Sequence, residues 1–293
     1  MNLELVNFFL EHLKVERRLS KHTLVSYTTD LQQFCSFLEH GLPQAKLLLD
    51  LNSKDIRLWI VDLSNQSIEN RSINRKLATL RTFFKYLQRT KKVIDNPMVS
   101  IKAVKIGKSL PQFLREPEIA KIDFSMQENS FESLREELIY SLFYGTGMRL
   151  SELIQLKVHQ IDLYQKQLKV LGKRNKERII PAPSILFELI EKYLKVCPFE
   201  SEYLLLTDQG KPLYPMMVQR IIKKLLSSIS TLEKLSPHVL RHTYATHLLN
   251  KGADLNAIKE LLGHANLAAT QVYTHNSLEK MKEIYQQAHP KGS

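Results

Sequence analysis

Cysteine is scarce. Cys35 and Cys197 are the only two in 293 residues, too few for a disulfide framework or a thiolate metal site, and that scarcity fits a reducing cytoplasm. Long apolar runs are missing too: no stretch reaches the roughly eighteen residues of a membrane-spanning helix, so no membrane partner is expected. The start, MNLELVNFFLEHLKVERR, has no basic leading stretch and carries Glu4 and Glu11 among its apolar residues. It reads as an amphipathic helix and not as a signal peptide. Gly145-Thr-Gly147 lacks the Lys-Ser/Thr pair of a nucleotide P-loop, which excludes that reading. His238, His242 and His247 are close in sequence, yet no HExxH occurs and no Cys or carboxylate completes a ligand set, so no metal is expected. His242 and His247, on one helix with Tyr244 and Leu248, read as packed or capping residues. Internal repeats and low-complexity segments are absent.

Acidic residues are short only locally. The chain holds 42 Lys+Arg against 30 Asp+Glu, a formal net charge of +12 with a pI near 9.5, and a field of that sign concentrates polyanions. Residues 1–110 hold 18 basic against 10 acidic residues, residues 111–293 hold 24 against 20. Between Glu69 and Asp95 lie eight basic residues and no acidic one. Solvated faces ordinarily mix signs; a face of one sign suits a surface that tracks phosphates.

The length is at the limit for one hydrophobic core, so two domains are expected. Residues 1–100 read as helices. One covers 2–17. A second covers 22–38, with Leu24, Tyr27, Leu31, Phe34 and Leu38 at helical spacing behind Ser20 as N-cap. A third follows Ser53 with Ile56, Ile60 and Leu63 on one stripe. The fourth, 72–91, sets Ile73, Leu77, Leu80, Phe84 and Leu87 on one face and Arg71, Arg75 and Arg89 on the other side. Asn96-Pro97 should end it. Residues 98–111 have no strong period and carry Lys102, Lys105 and Lys108; 101–111 is expected to be an exposed, basic linker between domain 1–100 and domain 112–293. From Glu116 helical periodicity resumes. Residues 167–170 and 178–180 look like strands joined by Gly172-Lys173-Arg174-Asn175, a β-hairpin, and the chain after Pro183 reads as mainly helical.

Four clusters then stand out: GTGMRLSEL (145–153), the hairpin turn with Lys173, HVLRH (238–242), and LGH (262–264) followed by Tyr273. Singly each is weak. Together they supply what phosphodiester chemistry needs without metal. Positive groups must surround the non-bridging oxygens, where charge grows in the transition state, and arginine does this with a planar fork that keeps its charge. Arg149 and Arg241 are the candidates. A tyrosine can form a covalent phosphate ester, a hairpin lysine can protonate the departing oxygen, and His238 can manage the tyrosine proton.

These boxes resemble the tyrosine recombinase (phage-integrase-type) family, and within it the members that resolve chromosome dimers. GTGMRLSEL matches the family's first arginine, Arg149, with Glu152 in the position that supports it. VLGKRNKERIIP resembles the hairpin with the catalytic lysine, Lys173. SPHVLRHTYATHLL matches the H-x-x-R box, giving His238 and Arg241. LLGHANLAATQVYTH places His264 nine residues before Tyr273. RLSKHTLVSYTTDLQQF and NRSINRKLATLRTFFKYL look like the family's DNA-clasping helices, implying DNA contacts by Lys21, His22, Thr23, Tyr27, Arg71, Arg75, Lys76 and Arg81. Competitors stay open: Arg149 as a helix anchor, Arg174, Lys176 or Arg178 as proton donor, His264 as a cap, and Tyr244 or Tyr285 as nucleophile, although Tyr285 falls on an amphipathic stripe with Leu278, Met281 and Ile284.

The resemblance implies a mainly α, two-domain fold: a helical SAM-like N-terminal DNA-binding domain and a mixed α/β, mostly helical catalytic domain with a small three-stranded antiparallel sheet, closing as a clamp on duplex DNA. It implies a 3′-phosphotyrosine on Tyr273, a Holliday junction, and no ATP, metal or other cofactor. The implied partners are a double-stranded recombination site, a homo- or hetero-tetramer with a sister recombinase through the C-terminal helix (278–288), and a cell-division DNA translocase. The implied place is the cytoplasmic nucleoid. A phage or mobile-element integrase is the competing reading within the family, and it is disfavoured by the lack of an added domain before residue 1. A type IB topoisomerase and a non-catalytic DNA-binding regulator are the competitors outside it.

Overall fold

The computed structural model describes residues 2–17, 19–107, 112–125, 128–172 and 177–263. Among them the chain forms two compact units, residues 1–109 and 110–293. No helix of the described residues is long and apolar enough to cross a membrane.

The first unit is built from α1 (Asn2–Val15), α2 (Lys21–His40), α3 (Ser53–Asn65) and α4 (Asn70–Arg89). Ser20 caps α2 as expected, its Oγ accepting the Thr23 N–H at 3.3 Å. At the head of α3 the Asn52 side chain accepts the Lys54 N–H, and the Asp55 carboxylate accepts the Asn52 N–H at 2.9 Å. The apolar face of α4 is buried throughout, from Ile73 through Leu77, Leu80 and Phe84 to Leu87. It meets α1 through aromatic contacts such as Phe9 on Phe83, 5.1 Å between centroids, while Phe34 of α2 packs on Trp59 of α3 at 4.7 Å. Each such side chain contributes about 2 kcal/mol by leaving water.

Two boundaries differ from the sequence expectation. α4 stops at Arg89, before Asn96-Pro97. Lys91 takes a left-handed conformation (φ 55°), and the Lys92 and Lys91 N–H groups turn back onto the Leu87 and Gln88 carbonyls; this closure satisfies the helix end without proline. The start of the expected linker is also not free. Met98 and Ile101 are buried in this unit. Asn74 exchanges two hydrogen bonds of 2.8 Å with Val104, Asn70 donates to the Lys105 carbonyl, and Arg81 to that of Ile101.

The second unit packs α6 (Phe131–Thr146) against α8 (Ser184–Val196) and α10 (Pro237–Asn250), with α5 (Glu116–Ile119), α7 (Leu150–Ile154), α9 (Pro215–Ser227) and α11 (Leu255–Leu261) around them. Its three-stranded antiparallel sheet runs in the order β1 (Ile161–Asp162), β2 (Gln167–Leu171), β3 (Glu177–Pro181). The pairing Leu168 with Ile180 and Val170 with Arg178 sets one face of the hairpin against the core. On the other face Lys169 pairs with Glu177 at 2.7 Å. The mostly helical fold with this small sheet is the one expected. His247 is a packed residue, as read: its Nδ1 accepts the Tyr144 hydroxyl at 3.0 Å and its Nε2–H donates to the Leu114 carbonyl at 2.9 Å. Burial lowers its pKa, keeping the ring neutral.

Candidate active site and nucleic-acid interface

The α6–α7 turn creates the site. Gly147 ends α6 in the left-handed region (φ 61°), and a Cβ there would lie 2.5 Å from the Tyr244 ring. Only glycine meets both demands. Two residues on, Arg149 caps α7, and its N–H donates to Glu152 Oε2 at 2.7 Å. The Arg149 guanidinium donates to Glu152 Oε1 at 2.8 Å and, through Nη2, to the Gly263 carbonyl at 2.8 Å.

Glu152 is shared. Arg178 on β3 grips both of its oxygens, Nη1 to Oε1 at 2.6 Å and Nη2 to Oε2 at 2.8 Å, while its Nε–H donates to the Leu261 carbonyl at 3.1 Å. Arg241, in the second turn of α10, donates to the Gly147 carbonyl and to that of Leu262, the latter at 2.6 Å. Three guanidiniums thus take the carbonyls of Leu261, Leu262 and Gly263 in turn, where α11 ends and the chain leads on to His264. Helix C-termini carry partial negative charge and unpaired carbonyls, so this is a favourable place for cations.

The electrostatics follow. Burial opposes ionisation of Glu152, but the Arg178 hydrogen bonds and charge, with those of Arg149, overcome it and hold the carboxyl at about 2. Burial, then the like charges of Arg149 and Arg178, lower Arg241 to about 10; it stays charged at neutral pH. Among the described residues three guanidiniums stand against one carboxylate, so their charges sum to a net positive value. His238 is exposed three residues before Arg241 on α10, and so on the same side of that helix.

Among the competitors, Tyr244 is fully buried against Gly147, and burial pushes its phenol well above the ordinary range, so it is not available as a nucleophile. Arg178 is engaged by three acceptors and is not a free proton donor. Lys173, Arg174, Lys176, His264, Tyr273, Tyr285 and the helix expected at 278–288 lie outside the described residues. What sequence reasoning missed is the place of Arg178 at the centre of the cluster. The signal was present: alternation in Glu177–Pro181 sets residue 178 on the same face as Ile180, and a cation on a core-facing strand position requires a carboxylate.

In the first unit, the expected DNA-contacting residues divide. Arg71, Arg75, Lys85 and Arg89 are exposed along one side of α4, and Lys21 is exposed at the head of α2. Thr23 and Tyr27 line, with Ser26, Arg75, Ala78 and Thr79, an open groove between α2 and α4. Lys76 is different: it is 5% exposed, and its ammonium donates to Gln33 and, at 3.1 Å, to the buried carboxylate of Asp30. Arg75 and Thr79 also bond Asp30, and Arg81 is half-buried on the Ile101 carbonyl. For His22 the side chain lies outside the described atoms.

Comparison with known proteins gives two matches to family profiles: the phage integrase family over residues 112–280 and the phage integrase N-terminal SAM-like domain over residues 6–91. The chain belongs to the phage integrase family of tyrosine recombinases. It is a site-specific recombinase, an enzyme that cleaves and rejoins DNA. A relative named tyrosine recombinase XerC, from Staphylococcus carnosus (strain TM300), is 38% identical over 287 residues, spanning 97% of this recombinase and 96% of the relative. Another of the same name, from Chlorobaculum parvum (strain DSM 263 / NCIMB 8327), is 37% identical over 312 residues, spanning 96% and 93%. The fold is shared with the Tn1549 transposon integrase in complex with transposon right end DNA, at a TM-score of 0.74 and 17% identity, covering 95% of this chain and 98% of that one. It is shared likewise with the XerH site-specific recombinase bound to palindromic difH substrate, at 0.70 and 22%, covering 91% and 80%.

Proposed function

We propose that this recombinase exchanges strands between duplex sites through a phosphotyrosine bond on Tyr273, and that its task is to resolve chromosome dimers at cell division. The observation that carries the chemistry is the convergence of Arg149 and Arg241 where the chain leaves α11 toward His264 and Tyr273. The Tyr273 hydroxyl attacks the scissile phosphorus and gives its proton to His238. The bond to the 5′ oxygen breaks, and that oxygen takes a proton from Lys173. Arg149, Arg241 and His264 stabilise the charge on the phosphorane. The 5′-hydroxyl of a partner duplex then attacks the 3′-phosphotyrosine, releasing Tyr273 and forming a Holliday junction. One ester replaces another at each step, so no nucleotide hydrolysis is needed.

The exposed cations of α2 and α4 hold the phosphate backbone in this reading, with 1–100 as the DNA-binding domain and 112–293 as the catalytic domain. Lys21, His22, Thr23, Tyr27, Arg71 and Arg75 make those contacts, while Lys76 and Arg81 support them from within. Four protomers, alike or shared with a sister recombinase, assemble through the C-terminal helix on nucleoid DNA in the cytoplasm, and a DNA translocase of cell division licenses exchange. The test is covalent trapping on a library of nicked duplexes, read by sequencing. The unmodified protein should recover one site, and Tyr273→Phe should bind it without forming an adduct, because phosphate contacts are made by other groups. Adducts with Tyr273→Phe would sink the assignment, and robust relaxation of supercoiled DNA lacking that site would favour a topoisomerase.

A further inference from the structure

We propose that Arg178 is a positioning residue for DNA cleavage, joining the setting of Arg149 to the point where the chain departs for the nucleophile. The proposal rests on the tyrosine-recombinase reading above and gives Arg178, present in the hairpin box only as a competing proton donor, a different role.

Glu152 places two conflicting demands on Arg149. Glu152 must orient Arg149, and it does so through both the backbone N–H and the guanidinium. A buried carboxylate that close to a lone arginine would also cancel the charge that Arg149 must present to a phosphate. Arg178 removes the conflict. Its fork occupies both Glu152 oxygens, so the carboxylate is matched by Arg178, and Arg149 keeps its positive charge in excess. Two parallel N–H···O bonds also fix the carboxylate plane, which a single point charge cannot do.

The third contact supplies the coupling. Arg178 Nε–H holds the Leu261 carbonyl, next to the carbonyls held by Arg241 and Arg149. A Cβ at Gly263 would come within 3.1 Å of Arg178 Cδ, and Gly263 takes φ 65°; the end of α11 is folded directly over this side chain. Arg178 is 5% exposed and Glu152 3%. Arg178 therefore reaches no substrate and acts through Arg149 and the α11 terminus.

Arg178→Lys keeps the charge on Glu152 but loses the fork and the Leu261 bond. On the duplex recovered by trapping, single-turnover cleavage should fall about 100-fold, the scale of a misplaced catalytic group, with DNA binding and thermal melting little changed. The deciding measurement repeats the comparison with a methylphosphonate at the scissile position. That neutral group develops one less negative charge in the transition state and depends less on Arg149, so the ratio of wild-type to variant rates should shrink. A merely structural role lowers cleavage equally on both duplexes and would overturn the proposal, as would cleavage by Arg178→Lys at the wild-type rate. Arg178→Gln, which keeps a hydrogen-bond donor beside Glu152 and leaves that carboxylate its Arg149 partner, serves for the same pair of measurements if the lysine variant does not fold. Absence of any adduct with the unmodified protein takes down the recombinase reading as well; normal cleavage by the variants takes down this proposal alone.

Discussion

Each unit of the recombinase has a buried carboxylate that gathers several cations, Asp30 in the first and Glu152 in the second, and the two knots differ in what their cations do next. In the first unit Asp30 receives Arg75, Lys76 and Thr79, all from α4, and Lys76 spends its remaining reach on Gln33. The knot ties α2 to α4 and ends there. In the second unit Glu152 receives Arg149 from α7 and Arg178 from β3, and each arginine still has N–H groups that hold the end of α11. Arg241 adds a cation whose hydrogen bonds, among the described residues, go to carbonyls and not to a carboxylate. The first knot joins helices, while the second, among the described residues, keeps positive charge in excess at the end of α11.

The comparison is most severely tested at Glu152. Glu152→Gln should slow single-turnover cleavage by about 100-fold and destabilise the second unit by about 3 kcal/mol, because it leaves Arg178 buried without its charge partner. The pH dependence has a definite sign. The carboxyl is held at about 2 against an ordinary 4.5, so it contributes stability on the order of 3 kcal/mol above the unfolded value. That contribution is lost as pH falls through about 2, and denaturant titrations from pH 6 to 2 should show it in the wild type and not in Glu152→Gln. A variant that lost stability but cleaved normally would make the two knots alike.

Asp30→Asn comes next. It should destabilise the first unit by about 2 kcal/mol, since Lys76 loses its buried partner, while single-turnover cleavage at saturating protein stays unchanged. Slowed chemistry in the saturated complex would break the distinction from the other side. The smallest effect belongs to Arg71, exposed on α4. Arg71→Gln should lower the slope of log affinity against log salt by about 0.9, with the same loss on every DNA sequence. An unchanged slope in filter-binding titrations would remove Arg71 from the phosphate-tracking face.

Much of this is legible in the sequence. The apolar period of α4 marks a face that is buried residue for residue, because one stripe at 3.6 spacing has only one way to leave water. Ser20 as a cap and a hairpin around residue 172 are equally local. Lys76 shows where local reading stops. It counts as one of eight cations in an acid-free run, yet it lies between Ile73 and Leu80 on the inward face, and the carboxylate that makes this tolerable is Asp30 on another helix. The end of α4 at Arg89 was hidden for a different reason: a left-handed Lys91 closes it with backbone bonds alone, and no residue type announces that.

By itself, then, the sequence determined the family, the order of its four boxes and the elements that carry them, since periodicity, caps and residue types are properties of neighbours along the chain. The tertiary structure alone decided which cations remain available. Residues 149 and 152 share α7 and its cap, but 178 and 241 belong to β3 and α10, and only packing brings those charges to the same place. It is that pairing, with Glu152 shared by Arg149 and Arg178 and Arg241 held on carbonyls, that gathers scattered arginines at the end of α11.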